Sequence, residues 1–195
     1  MLSRLAIHVV IAVGTTSAAF GSPALAASSQ DGPVANGARS AAAIAAASPE
    51  CRGATISGSG DRQEHTILCL INAARAQAGV PRLRRSRALA RAAERHARDM
   101  TRRDYFDHAS PEGTTPDGRA ARAGYDSSLI AENLAFGTGS WGTPAGAVAQ
   151  WLGSAPHRRA LLDRRARDLG IGAADGSPLR GAHGGTTVAA MFGRR

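Results

Sequence analysis

From Asp61 onward the apolar positions of this chain fall into a helical period. Ile67, Leu68, Ile71 and Ala74 recur at 3.6-residue spacing, with Gln63, Asn72 and Arg75 mostly on the other side. The pattern predicts a helix that Gly79 stops and Pro81 follows. Ser86 is a good N-cap for a second helix, in which Leu89, Ala93, His96 and Met100 share one face and Arg91, Arg95, Arg98 and Arg102 the solvent side. Tyr105 and Phe106 end it, and a turn-rich stretch runs from Asp107 to Gly113. A short helix over Pro116 to Ala123 is closed by Gly124. Thr143-Pro144 starts another running to Trp151 or Leu152, and Ser154 caps a last one through Leu161 and Leu162. The period then changes. Leu169 to Ala173 and Thr186 to Phe192 are short, Gly-bounded, apolar segments of strand character. Helices first and paired strands last predict an α+β domain with a small antiparallel sheet.

The first 60 residues read differently. Arg4, the apolar run Leu5 to Val13 and the small-residue motif Ala24-Leu25-Ala26 have the form of a secretory signal over residues 1–26. Residues 27–50 are rich in Ala, Ser and Gly and read as a flexible linker; Ala41 to Ala47 has helical potential there but no amphipathic face to bury. The folded domain is expected over residues 51–195. Export sets the redox expectation for Cys51 and Cys69, 18 positions apart. In an oxidising compartment they form a disulfide worth roughly 3 kcal/mol by loop entropy; two buried free thiols are the alternative.

Composition narrows the field. The chain has 195 residues, 43% of them hydrophobic and 20% charged, which describes one globular domain. Aromatics are only 4%, so the core relies on Leu, Ile, Val and Ala. No apolar run reaches the ~20 residues of a membrane-spanning helix. The formal charge is +9, and all 24 basic residues are Arg. Scattered along helical solvent faces, they read as a solvated basic surface; any partner they have is an anionic envelope polymer or lipid headgroup rather than nucleic acid.

The order of local motifs is more informative than any one of them. Leu70-Ile71-Asn72-Ala73-Ala74-Arg75 is followed by Ala92-Ala93-Glu94-Arg95-His96-Ala97-Arg98-Asp99-Met100 and by Tyr105-Phe106-Asp107-His108-Ala109-Ser110-Pro111. Gly124-Tyr125, Ala131-Glu132-Asn133-Leu134-Ala135, Trp151-Leu152-Gly153-Ser154-Ala155-Pro156-His157-Arg158 and Leu169-Gly170-Ile171-Gly172 complete the series. Over roughly residues 62–193 this resembles the bacterial branch of the CAP superfamily, the SCP-like extracellular domains related to cysteine-rich secretory proteins, venom allergens and plant pathogenesis-related proteins. The resemblance implies a three-layer α-β-α sandwich.

It also implies a cleft. Eukaryotic relatives line it with two His and two Glu that hold a divalent metal. His108 matches the first His and Glu132 the first Glu, but Ser154 stands where the second Glu falls, and the second His would lie near Thr186. Two other histidines are candidates to compensate. His157 sits at the start of a helix, where the dipole keeps an imidazole neutral, and His183 lies in the Gly-rich loop before the last strand. Two imidazoles and a carboxylate with an open position suit Zn²⁺, with Mg²⁺ the other divalent metal considered. The competing reading is that His108 and Glu132 hydrogen-bond each other and pin their loops. His96 is expected to be a satisfied core-edge residue, Asn72 and Arg75 to secure the first helix, Asn133 to cap or cross-link a turn beside the cleft, and His65 to be exposed. No Gly-x-Ser-x-Gly elbow, His-Glu-x-x-His or P-loop is present.

Together these readings describe a secreted protein, extracellular or loosely wall-associated and monomeric. Its expected role is a non-catalytic binding module for an envelope, lipid or small ligand at a cleft of His108, Glu132, Asn133, Ser154 and His157. A metal-dependent hydrolase using that cleft is the alternative.

Overall fold

A computed structural model describes residues 60–195, together with Ala43, Ile44, Ala46, Ser48 and Cys51. The signal-like segment, and the linker apart from those few positions, lie outside the described residues. In chain order the elements are α1 (Asp61–Gln77), β1 (Arg84–Arg85), α2 (Arg87–Arg103), α3 (Pro116–Arg122), β2 (Leu129–Gly137), a 3-10 turn (Gly139–Gly142), α4 (Pro144–Gly153), α5 (Ala155–Leu161), β3 (Asp168–Asp175) and β4 (Thr186–Arg194). Two of the three predicted caps make their bonds, and a third cap not expected from the sequence is present at Thr115. Ser86 and Thr143 accept from Leu89 N and Gly146 N, and Thr115 caps α3 through Gly118 N. Ser154 begins α5 without a side-chain cap bond.

The sheet order is β1-β3-β4-β2. β4 is central to the antiparallel part, pairing with β3 and with β2, while two-residue β1 adds a parallel rung on β3 and makes the sheet mixed. Strand β2 is an addition to the sequence reading, in which Asn133 is expected to cap or cross-link a turn and no strand is assigned here. Two polar residues at the centre of the segment break the strand pattern, and both are buried. Two cores flank the sheet. One packs Ile67, Leu70 and Ile71 of α1, Val148 and Trp151 of α4 and Leu161 of α5 on one face; the other packs Leu89, Ala93, Ala97 and Met100 of α2, with Ala120 and Tyr125, on the opposite face. This is the α-β-α arrangement in an α+β domain.

α1 is less amphipathic than its pattern implied. Gln63, Asn72 and Arg75, expected off the packed face, are all buried. Asn72 exchanges two hydrogen bonds with the backbone of Leu83, at 3.1 and 2.8 Å. Arg75 is fully buried and donates to the carbonyls of Pro81, Leu161 and Asp163, so it fastens α1 to the α5–β3 connection. Burial tends to lower its pKa, although a guanidinium stays charged. The core also reaches upstream into the stretch read as linker. Ile44 is buried in the α1-side core, and Ser48 is buried. Cys51 and Cys69 are bonded, with Cα atoms 5.4 Å apart, so the predicted disulfide ties this upstream chain to α1.

The tightest contact is between α2 and β3. A Cβ added at Gly170 would lie 2.1 Å from Ala90 N, and one at Gly172 would lie 2.0 Å from Glu94 N. These are backbone atoms of a helix that cannot yield locally, so only glycine lets the helix seat there. Gly172→Ala is expected to destabilise by about 3 kcal/mol or more, at or beyond the usual overpacking range. Gly118→Ala in α3, where a Cβ meets nothing closer than 3.6 Å, should stabilise by about 0.5–1 kcal/mol. Denaturant unfolding of the two variants checks both signs.

Candidate functional site

Glu132 lies on the face of β2 that carries Ile130 and Leu134, toward α2 and α3, since side chains alternate along a strand. Its carboxylate is buried, with 1% of the side chain exposed. Arg119 of α3, itself buried, donates to both oxygens at 2.9 and 2.8 Å. The same guanidinium donates to the carbonyls of His108 and Thr114, so one side chain holds the 108–114 turn against the strand. His108 Nδ1 donates to Glu132 Oε1 at 2.9 Å, and its ring is 29% exposed. In the neutral form this fixes the proton on Nδ1 and leaves Nε2 as an acceptor facing outward.

His96 closes the inner side of the cluster. Its Nε2 donates to the Asp107 carbonyl at 2.9 Å and lies 3.9 Å from Glu132 Oε1. Tyr105 donates to Asp99 at 2.7 Å and its hydroxyl stands 3.3 Å from His96 Nδ1. Burial, then the bond to Asp99, pushes the Tyr105 hydroxyl well above the usual phenol range. His96 is thus satisfied as expected, but at the site rather than at a remote core edge.

Asn133 points to the other face of β2. It caps no turn; its amide donates to the His157 carbonyl at 3.0 Å and fastens α5 to the strand. His157 is half-buried, and burial, then the neighbouring charge of His108, holds its pKa below the usual imidazole value. His96 and His108 thus gather on the Glu132 face of β2, and the His157 backbone is fastened to the other face of this edge strand. Trp151 donates to the Leu134 carbonyl of the same strand at 2.9 Å. Ser154 is half-buried at the start of α5, near His157 in sequence. His183 is exposed on the β3–β4 loop, and no hydrogen bond joins it to the cluster. That loop enters β4 at Thr186, about 16 Å along the strand from Met191, the register partner of Glu132. His65 is exposed, as expected.

Sequence reasoning missed Arg119. It was one of 24 arginines, and the only signal available was its place four residues before buried Ala123 on a short helix. Its presence bears on the implied divalent metal. Both Glu132 oxygens accept from a fixed cation, His96 Nε2 is committed to a carbonyl, and among the described residues no group of three or more His, Cys, Asp and Glu side chains is arranged to hold a metal ion. As arranged, these donors do not fit a metal ion.

The electrostatics are set by burial against pairing. Burial is the largest influence on Glu132 and raises its pKa, but the His108 hydrogen bond and the Arg119 charge together outweigh it and hold the carboxyl below 4.5. His96 is held below 6.5, chiefly by burial. Glu132, His96 and His157 are thus all harder to protonate folded than unfolded, so the stability they contribute is present at neutral pH and lost on acidification. The thermal midpoint should fall first below pH 6.5, as the histidines protonate in the unfolded chain, and again below 4.5 for Glu132. His157→Gln should shrink the first step and leave the second. Arg119→Met should cost about 3–5 kcal/mol by leaving a buried carboxylate alone, and Arg119→Met with Glu132→Leu distinctly less. Midpoints measured across pH, with chemical denaturation at neutral pH, check these outcomes.

Similarity to known proteins agrees with the fold and motif order. The family model described as the cysteine-rich secretory protein family, CAP, matches residues 68–190. Two proteins of Bacillus subtilis (strain 168) are similar over 109 residues, 56% of this chain: YkwD at 30% identity and the membrane protein YlbC at 32%. The match spans 41% and 31% of their own lengths, so less than half of either relative is represented. Among solved structures, an extracellular protein of Bacillus anthracis containing an SCP domain superposes with a TM-score of 0.58 at 28% identity, covering 68% of this chain and 40% of that one. An outer surface protein of Borrelia burgdorferi superposes at 0.59, covering 72% and 99%; at 22% identity it speaks for the fold alone. No helix among the described residues is long and apolar enough to cross a membrane. With its motifs, layered fold and matched span in agreement, the chain belongs to the cysteine-rich secretory protein (CAP) family.

Proposed function

We propose that this is a secreted, non-catalytic binding module that takes an envelope component, lipid or small ligand at the cleft beside β2. The observation that carries the reading is the pairing of both Glu132 oxygens with Arg119. A general base or metal ligand needs an accessible lone pair, and this carboxylate is buried with three of its about four acceptor sites engaged by Arg119 and His108. What remains outward is the half-exposed His108 ring and half-buried His157, with Ser154 close by in sequence. Imidazole rings offer hydrogen-bonding nitrogens and flat apolar faces, which suits recognition of a polar ligand without chemistry on it. Export is supported by the signal-like N-terminus, the Cys51–Cys69 disulfide and the extracellular character of the Bacillus anthracis neighbour.

A metal-dependent hydrolase in the same cleft makes opposite predictions. The thermal midpoint should be unchanged by EDTA and by excess Zn²⁺ or Mg²⁺; a metal held at about 100 times its dissociation constant would instead stabilise by about 2.7 kcal/mol. Native mass spectrometry of protein incubated with an envelope extract should show a small adduct that survives EDTA and is lost in His157→Ala. Metal-dependent release of product from fluorescent peptide or glycan substrates, abolished in His108→Ala, would sink the binding reading in favour of the hydrolase.

A further inference from the structure

The outer face of α2 carries Arg87, Arg91, Arg95, Arg98 and Arg102, all exposed. Its C-terminal half is neutralised: Arg98 pairs with Glu94, and Arg102 and Arg103 pair with Asp99. Its N-terminal half is not. Among the described residues, Arg84, Arg87, Arg91 and Arg95 have no carboxylate within ion-pair reach; Arg91 donates only to the Ala123 carbonyl. Arg87 stands at the first position of the helix, where the dipole disfavours a cation, and the first turn holds no acidic residue. Arg87, Arg91 and Arg95 repeat every four residues, so each pair repels. Helix stability favours none of these choices.

The fold adds more positive charge at the same place. Asp168, Gly170 and Gly172 share one face of β3. Gly170 lies under Leu89 and Ala90 and Gly172 under Ala93 and Glu94, which brings Asp168 level with the start of α2. Arg85 reaches Glu64 on the α1 side at 3.1 Å, so its neighbour Arg84, in extended backbone, projects to the α2 side. Tyr125 donates to Asp168 at 2.7 Å, and the Arg195 guanidinium stands over the Tyr125 ring at 4.9 Å. Arg84, Arg87 and Arg195 thus lie toward the end of β3 that carries half-buried Asp168, and the row from Arg87 through Arg91 to Arg95 extends about 12 Å from there along the helix.

From this placement we infer that the N-terminal half of α2 is a docking surface for a linear phosphodiester polymer of the polyol- or sugar-phosphate type. Guanidinium groups bind phosphate by paired donors, and a row about 6 Å apart suits a chain carrying one anion per unit. A bilayer is disfavoured because the exposed large apolar residue among those described, Trp141, lies in the 3-10 turn beyond β2 and not on α2. Single-stranded nucleic acid is disfavoured because Tyr125, the aromatic at this surface, is 1% exposed and offers bases no stacking platform. The surface is separate from the His108–Glu132 cleft, since His96 is buried beneath α2 while Arg87, Arg91 and Arg95 are exposed on its outer face.

The test measures binding of a labelled glycerol-phosphate oligomer to the purified protein at several salt concentrations. Arg84→Gln, Arg87→Gln and Arg95→Gln are combined because these side chains hold no bond within the described fold. This triple variant should bind at least about tenfold more weakly and with a shallower salt dependence, while its thermal midpoint stays or rises. A control triple, Arg62→Gln, Arg159→Gln and Arg180→Gln, removes the same charge from other exposed positions and should stay within about twofold. Equal losses in both triples would reduce the effect to diffuse net charge and overturn the inference. So would absence of binding at low salt, or tighter binding to phosphatidylglycerol vesicles or to a single-stranded oligonucleotide than to the oligomer.

Discussion

The seating of α2 on β3 is the contact on which the rest of the structure depends. At Gly170 and Gly172 the helix backbone rests on the strand backbone with no room for a methyl group. That proximity fixes the height and direction of α2, and so everything α2 delivers. Its inner face carries His96, two turns before the helix end, into contact with the loop carbonyl of Asp107. Its C-terminus, turned by Asp104 in the left-handed conformation, sends Tyr105 and the 107–114 turn back across the edge of the sheet toward Glu132. A side chain at either glycine would push the helix outward, and the histidines would lose their register with the strand. Packing density and site geometry are here one constraint, because close-packed interiors transmit displacement rather than absorb it.

The second constraint is electrostatic. A carboxylate with 1% of its side chain exposed cannot remain ionised without compensation, and Arg119 supplies it. In doing so Arg119 also satisfies the carbonyls of His108 and Thr114, so the charge that stabilises Glu132 organises the loop that carries His108. Removing either partner would leave an isolated charge in a low-dielectric interior, which makes the pair an all-or-none unit. The carboxylate that the family pattern marks as a candidate metal ligand is engaged in holding the His108 loop and α3 against β2.

Much of this was legible in the sequence and some of it was not. Helices with a strong periodic face and a recognisable cap, such as α2 behind Ser86 and α4 behind Thr143, declare themselves because local chemistry and tertiary packing agree there. The disulfide is legible from two cysteines behind a signal-like N-terminus, and mutual bonding of His108 and Glu132 is one of the two readings the motifs allow. Strand β2 did not declare itself. A Glu-Asn pair at the centre of a strand violates alternation unless both faces are covered and each polar group has a partner, and those partners come from α3 and α5. The same holds for α1, whose Gln63, Asn72 and Arg75 are buried against carbonyls supplied by distant segments. Ile44 was lost among alanines because a single apolar residue has no period to detect. In each case the missing information is a non-local partner, which no local pattern contains.

The arginines show how a feature that is uninformative in composition becomes informative in place. Twenty-four arginines without lysine, taken as a count, point to no particular task. Once the fold is known they separate into kinds. Arg75 and Arg119 are buried and join distant segments through their fork of donors, a role a lysine could not fill with one ammonium. Arg98, Arg102 and Arg165 are exposed and neutralised by carboxylates on their own helix or turn. Arg84, Arg87, Arg91 and Arg95 are exposed, mutually repelling and set against a helix dipole, in a region where exchange for glutamine would relieve strain between charges. A surface that maintains unfavourable interactions among its own residues is poised to release them on contact with an opposite charge, and in this domain that surface lies on the outside of the same helix whose inside builds the cleft.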